Sequence, residues 1–363
     1  MIDNPRIPIV LLTGFLGSGK TTVLSWLLRS DAFARTGVLV NEFGEVALDG
    51  DLVVHEDEQI IETSSGCLCC TIRGDVQKSL MALHEKNCEG PERRFDRVVV
   101  ETTGLADPSP VISTLTTDWR LAWEFVFAGI VTTVDVLHVL DTLDRHEESM
   151  KQIVVADAIL LTKTDLLAPE EREARIEQLR AHVRGLNPDV TILMADAAEK
   201  AFRTTLDRGA YHLREHPERV QEWLNEAAYT AKAHDHGDGG DDHHHHHDHH
   251  HDVNTHGSDI HAFALVLEEP LHGFVMMMAI ERLRAALGTD LLRFKAILHI
   301  ADAPDEPVVM HAVQHTMHSL QRLPAWPSED RRSRMVFITR GFSQAETEDY
   351  FTRFTEAART AIT

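Results

Sequence analysis

The sequence predicts an α/β protein: an N-terminal P-loop NTPase domain with a mostly parallel sheet and helices on both faces, followed by a smaller α+β domain. Three observations carry this. A strand, a glycine-rich loop and a helix follow one another at the start of the chain. Short apolar runs then alternate with helical segments as far as residue 194, the pattern of crossover units in a parallel sheet. Beyond residue 257 strands resume with few helices between them, which suits a mixed or antiparallel sheet. A length of 363 residues agrees with two domains.

The first element is the apolar run 7–12, read as a buried strand. It leads into Gly14-Phe15-Leu16-Gly17-Ser18-Gly19-Lys20-Thr21-Thr22, which fits G-x-x-x-x-G-K-[ST]. Val23, Leu24, Leu27 and Leu28 then mark one face of a helix. The order matters chemically. Gly14, Gly17, Ser18 and Gly19 let backbone N–H groups curl around phosphate oxygens, with Thr22 closing the first helical turn. Lys20 is placed to reach the β- and γ-phosphates, and the Thr21 hydroxyl to ligate Mg²⁺.

Residues 37–40 read as the second strand, followed by Asn41-Glu42-Phe43-Gly44-Glu45, an acidic stretch, and Gly66-Cys67-Leu68-Cys69-Cys70. Val76, Leu80 and Leu83 have helical spacing. Strands follow at 97–101, 125–134, 158–161 and 190–194, with a helix at 170–183. In such sheets ligands sit beyond the carboxyl ends of the strands, so the loops after Leu12, Val40, Val100 and Leu161 can converge on one site. Residues 234–256 are almost entirely His, Asp and Gly and cannot build a core. They divide the chain into a nucleotide domain at 5–230, a disordered His-rich linker at 231–257 and a C-terminal domain at 258–363. That last part reads as strands at 260–267, 291–300, 308–313 and 335–339, with helices at 274–287 and 346–361.

Composition narrows the function. Lys and Arg number 35 against 58 Asp and Glu, a net charge of −23, which argues against nucleic-acid binding and against docking on anionic lipid. No apolar run approaches the roughly 20 residues of a transmembrane helix. The start, Met1-Ile2-Asp3-Asn4-Pro5, lacks the pattern of a signal peptide. Of four cysteines, three lie within four residues, a poor disulfide framework but a good thiolate cluster in a reducing cytosol. A cytoplasmic protein is expected.

Three further stretches carry chemistry. Glu101-Thr102-Thr103-Gly104 follows a buried strand: a carboxylate there can hold Mg²⁺, and the Gly104 N–H can sense a γ-phosphate. Lys20, Thr21 and Glu101 are therefore the expected catalytic residues. Thr162-Lys163-Thr164-Asp165 occupies the place of the guanine-reading Asn-Lys-x-Asp, with Thr for Asn. Asp165 would accept two N–H donors from guanine, a pairing adenine cannot offer, and Lys163 would lie over the base. Cys67, Cys69 and Cys70 suit Zn²⁺, with Glu42, Glu45, a His or a donor protein to complete an open site that can pass its metal on. In an extended loop Cys67 and Cys69 would point the same way. Cys88 stands alone, and Met276, Met277 and Met278 read as core.

Taken together, these motifs resemble the CobW family of P-loop GTPases, the metal-insertion and zinc-transfer GTPases. The resemblance rests on the phosphate loop, Asn41-Glu42-Phe43-Gly44-Glu45, Gly66-Cys67-Leu68-Cys69-Cys70, Glu101-Thr102-Thr103-Gly104-Leu105-Ala106-Asp107-Pro108, Thr162-Lys163-Thr164-Asp165, and Leu292-Arg293-Phe294-Lys295-Ala296 after the linker. Relatives often carry an acidic residue where Val40 stands, which leaves Glu42 and Glu45 as the carboxylate candidates. The resemblance implies slow, metal-modulated GTP hydrolysis and delivery of Zn²⁺ or Co²⁺ to a client metalloprotein, the C-terminal domain meeting the client or a second copy of the chain. Two alternatives stay beside it. A P-loop kinase or ATPase would share Lys20 and Thr21 without needing Asp165, and a metal-buffering protein would use the His-rich stretch alone.

Overall fold

The computed structural model describes residues 6–40, 60–62, 68–71, 76–230, 259–314, 316–317 and 320–360. Glu42, Glu45 and Cys67, expected as metal ligands, and the His-rich linker expected at 231–257 lie outside these residues. In chain order the first part contains β1 (Ile7–Gly14), α1 (Lys20–Leu28), β2 (Thr36–Val40), β3 (Ile60–Glu62), β4 (Leu68–Thr71), α2 (Val76–Asn87), β5 (Arg97–Glu101), α3 (Ser109–Thr117), α4 (Trp119–Glu124) and β6 (Phe125–Asp135). It continues with α5 (Val139–Arg145), α6 (Glu147–Val154), β7 (Ala158–Thr162), α7 (Pro169–Leu186), β8 (Thr191–Met194), α8 (Ala198–Arg208), α9 (Val220–Leu224) and α10 (Glu226–Thr230).

The eight strands form one sheet in the order β3-β4-β2-β5-β1-β6-β7-β8, parallel except for β3 at the edge. β1, β2, β5 and β7 are apolar and buried because helices cover both faces. Val23, Leu24 and Leu27 of α1 pack with Phe202 of α8 on one face. Leu80 and Leu83 of α2, Val111, Ile112 and Leu115 of α3, and Leu121 of α4 cover the other.

The second part adds β9 (Ile260–Leu267), α11 (Gly273–Leu287), β10 (Leu291–Leu298), β11 (Val308–Val313), β12 (Thr316–Met317), β13 (Gln321–Arg322), β14 (Ser333–Arg340) and α12 (Gln344–Thr360). Its sheet runs β12-β11-β10-β14-β9, with β13 on β11, and its pairings are antiparallel. Strand alternation divides its residues between two neighbours. Phe294, Ala296, Leu298, Met335 and Phe337 face α11 and α12. Leu292, Ile297, Val336 and Ile338 join a core with Ile153 of α6, Leu179 of α7 and Trp223 of α9. The second sheet therefore has one face sealed against the nucleotide domain.

Ion pairs reinforce that contact. Arg293 reaches Asp157 and the Val155 and Ala156 carbonyls, and Lys295 reaches Asp189 and the Trp223 carbonyl. Burial works to lower the Arg293 pKa, but Asp157, Tyr229 and Asp189 hold it above the usual arginine value. For Lys295 burial wins and the pKa falls, despite Asp189. No described helix is long and apolar enough to cross a membrane.

Candidate functional site

The phosphate loop leaves β1 at the carboxyl edge of the sheet. A Cβ on Gly14 would lie 2.3 Å from the Thr133 hydroxyl and 2.4 Å from its carbonyl oxygen, so only glycine lets the loop start against β6. The loop is tied there by the 2.6 Å hydrogen bond between the Ser18 and Thr133 hydroxyls. Gly19 caps α1 in the left-handed region, a conformation that glycine adopts without cost. Lys20 is buried and donates to the Gly14 carbonyl at 3.0 Å and the Phe15 carbonyl at 3.3 Å, so its ammonium already lies over the loop.

At the start of α1, Thr21 Oγ1 donates to Glu101 Oε1 at 2.9 Å. Glu101 ends β5 and is 1% exposed. A hydroxyl and a carboxylate placed together, both hard oxygen donors beside a phosphate loop, fit Mg²⁺. The residues after Glu101 press on the phosphate loop: a Cβ on Gly104 would meet Leu16 Cα at 2.6 Å and Leu16 N at 2.7 Å. Gln152 of α6 holds this segment from behind, donating to the Gly104 carbonyl at 3.3 Å and the Ala106 carbonyl at 3.1 Å. Asp107 closes it, accepting from the Ser109 N–H at 2.9 Å and hydroxyl at 2.6 Å.

The turn at residues 162–165 is joined to the same loop. The Thr162 hydroxyl lies 2.7 Å from the Ser18 carbonyl oxygen and 3.2 Å from that of Val134. The departure from Asn thus keeps a donor to the phosphate loop. Lys163, at φ 58°, sends Nζ to Asp135 Oδ2 at 2.8 Å. Asp135 also meets His138 Nδ1 at 3.0 Å and accepts from the Leu137 N–H at 2.8 Å. Burial would raise its pKa, but these partners hold the carboxyl below the ordinary aspartate value. Asp165 follows, exposed, in the turn Thr164–Leu166.

Cys69 and Cys70 occupy a strand rather than the loop expected for them. β4 lies parallel to β2, with Cys69 opposite Val38, Cys70 opposite Leu39 and Thr71 opposite Val40. β3 covers its outer edge, pairing Ile61 with Cys69. Val40 is in turn opposite Glu101, and Glu101 opposite Leu12. The sulfur-bearing strand thus ends level with Glu101 and the root of the phosphate loop. Cys88 is exposed, 3.7 Å from His84 Nε2. Among the described residues no three His, Cys, Asp or Glu side chains are grouped to hold a metal.

Sequence reasoning named Lys20, Thr21, Glu101, Gly104 and the 162–165 turn, and the structure brings these to one edge of the sheet. It missed Thr133, Asp135 and Gln152. Asp135 ended a strand beside the others, a usable signal; Gln152 lies mid-helix, where nothing local marks it.

Comparison with known proteins agrees with this geometry. The profile of the CobW/HypB/UreG nucleotide-binding domain matches residues 8–194, and that of the cobalamin synthesis protein CobW C-terminal domain matches residues 260–355. The zinc chaperone YjiA of Escherichia coli is 29% identical over 335 residues, 92% of this chain and 94% of the relative. The zinc-regulated GTPase metalloprotein activator 1 of Dictyostelium discoideum is 29% identical over 261 residues, 61% of this chain but only 52% of that protein. The crystal structure of Zn(II)-bound YjiA GTPase from E. coli superposes with a TM-score of 0.69 at 26% identity, covering 97% of this chain and 99% of that one.

Proposed function

The chain belongs to the CobW/HypB/UreG family of nucleotide-binding proteins, and on that premise we propose that it is a GTP-hydrolysing metallochaperone that carries Zn²⁺ to a client metalloprotein. The observation that carries the reading is the shared sheet edge. β4, with Cys69 and Cys70, lies on β2, and β2 lies on β5, which ends in Glu101 beside Thr21. A kinase or ATPase would share Lys20 and Thr21 but would not need Asp165, whereas a guanine-specific hydrolase would.

In the proposed reaction the amides of Gly17 to Thr22 and the Lys20 ammonium bind the GTP phosphates, and Asp165 accepts the two N–H donors of guanine. Lys20 neutralises charge that builds on the phosphoryl oxygens as water displaces GDP from the γ-phosphate. The Gly104 N–H stands where it can follow the γ-phosphate. Thr21 and Glu101 would hold Mg²⁺, which would supply charge stabilisation to the phosphoryl group being transferred. Zn²⁺ is the cargo, taken by the thiolates of Cys67 and Cys69, with Cys70 joining if the strand turns there and Glu42, Glu45, a His or a donor protein completing the set; Co²⁺ meets the same donors. The name of the Dictyostelium relative, a metalloprotein activator, supports a metalloprotein as the recipient.

The test is to titrate Zn²⁺ into the full chain loaded with a non-hydrolysable GTP analogue and then with GDP. Different affinities are expected in the two states, and by linkage Zn²⁺ should shift nucleotide affinity by the same factor. Equal affinities would refute the coupling. Unchanged Zn²⁺ affinity after replacement of all three clustered cysteines would refute the sulfur site.

A further inference from the structure

The segment that presses on the phosphate loop is also held from the second sheet. Gln314 Nε2 donates to both carboxylate oxygens of Asp107, at 3.1 Å each. Three residues earlier, Gly104 abuts Leu16 of the phosphate loop. Gln314 sits at the turn between β11 and β12, where Val313 pairs with Thr316. Its φ is 50°, in the left-handed region that glycine or asparagine normally fills in such tight hairpins. It is 4% exposed, and its own N–H is fixed to the Leu292 carbonyl at 3.0 Å. A strained backbone at a non-glycine residue persists where the surroundings over-determine it, and it points to a role for the side chain.

Asp107 is therefore the meeting point of both parts of the chain. It accepts from Ser109 at the start of α3, from Gln314 of the second sheet, and lies 3.6 Å from Lys151 of α6. Lys151 also pairs with Glu147 at 3.0 Å, and Glu147 pairs with Arg340 at the end of β14. Burial would raise the Asp107 pKa, yet these donors keep the carboxyl below its ordinary value, so it stays an anion able to hold all of them.

We propose that Gln314 is a positioning residue for GTP hydrolysis: from the second sheet it anchors Asp107, and so keeps Gly104 against the phosphate loop. The inference rests on the GTPase reading above and gives the C-terminal domain a part in turnover besides any contact with a client. A rearrangement of the 102–108 segment with nucleotide state would then be felt at the β11–β12 hairpin, and a partner that moved this hairpin would alter hydrolysis.

The experiment compares the native full chain with Gln314→Glu, which sets two carboxylates against each other, and with the double variant Asp107→Asn/Gln314→Glu, in which an amide again faces a carboxylate. Three quantities are read: GTP turnover, hydrogen exchange of peptides covering residues 102–108 in the nucleotide-free chain, and the melting midpoint. Gln314→Glu should lower kcat about tenfold while the KM for GTP stays within about twofold, and should speed exchange at 102–108; the double variant should recover most of both. Native kcat and native exchange in Gln314→Glu would overturn the proposal. So would a loss of kcat that tracks a fallen melting midpoint and is not recovered in the double variant. If Gln314→Glu does not fold, Gln314→Ala carries the same readouts. A native chain that turned over no GTP would refute the hydrolase reading, while exchange at 102–108 would still decide whether Gln314 holds the segment.

Discussion

Gly104→Ala isolates the contact between the 102–108 segment and the phosphate loop. The added methyl would stand 2.6 Å from Leu16 Cα and 2.7 Å from Leu16 N, both backbone atoms that no rotamer change can clear. Comfortable carbon contacts lie near 3.5–4.0 Å, so one backbone must retreat by about 1 Å. A displacement of about 1 Å in a group that meets the transition state costs roughly 100-fold in rate. In the proposed reaction Gly104 would face only the phosphate that is transferred, whereas GDP would be held by the loop amides and Lys20. The expected result is a kcat about 100-fold lower, equivalent to about 2.7 kcal/mol, with GDP affinity within about threefold of native. Turnover is followed by phosphate release and GDP affinity by calorimetry. A native kcat would refute the close-approach argument. An equal loss of GDP affinity would show that the phosphate loop itself had been displaced.

Other perturbations probe the remaining links. Thr162→Val removes the hydroxyl 2.7 Å from the Ser18 carbonyl while keeping the shape, and should weaken GTP binding about tenfold in a fluorescence titration; an unchanged Kd would show that the clamp is idle. Asp165→Asn replaces an acceptor by an amide that can donate to a 2-oxo base, so binding should shift from GTP toward xanthosine triphosphate, and a variant that still prefers GTP in direct competition would count against Asp165 as the base reader. Arg293→Met leaves the half-buried Asp157 and two buried carbonyls without their cation and should cost about 1–3 kcal/mol in denaturant unfolding; a loss below about 0.5 kcal/mol would mean that the ion pair is dispensable. The ratio of Zn²⁺ affinities in the GTP-analogue and GDP states should be the same at about 50 mM and about 500 mM salt, and a ratio that collapses with salt would show that charge repulsion carries the coupling.

Much of the nucleotide edge was legible in the sequence because its chemistry needs particular residues at fixed spacing next to a strand. Gly19-Lys20-Thr21, Glu101 and the 162–165 turn each follow an apolar run, and apolar runs are what a doubly covered parallel sheet makes of its strands. The short helices were not legible. α3 is rich in Val, Ile and Thr, poor helix formers, and stands because Val111, Ile112 and Leu115 are buried against the sheet. β3 and β4 are three and four residues long, below what periodicity resolves, so the cysteines were expected in a loop. Long-range partners leave no local trace. Arg293 and Lys295 were visible as a motif, but Asp157 and Asp189 lie 136 and 106 residues away. Asp107 and Gln314 are separated by 207 residues, and only the packing of the second sheet on the nucleotide domain brings them together.

How the proposed coupling between the sulfur strand and the phosphate loop would run follows from the strand order. Cys70 is level with Leu39, Val100 and Leu11, so three strand spacings separate it from β1. At about 4.8 Å each, that is roughly 14 Å. The distance exceeds the screening length of about 8 Å at physiological ionic strength, so thiolate and phosphate charges act only weakly on one another through solvent. A mechanical link is shorter. β2 lies between β4 and β5, and its last residue, Val40, is flanked by Thr71 on one side and Glu101 on the other. The chain that leaves β2 there, beginning with Asn41 and Glu42, is rooted between the sulfur strand and the strand bearing the Mg²⁺-type carboxylate. Any shift at that root is felt on both sides at once, which is why the coupling is assigned to the end of β2 rather than to the fields of the two ligands.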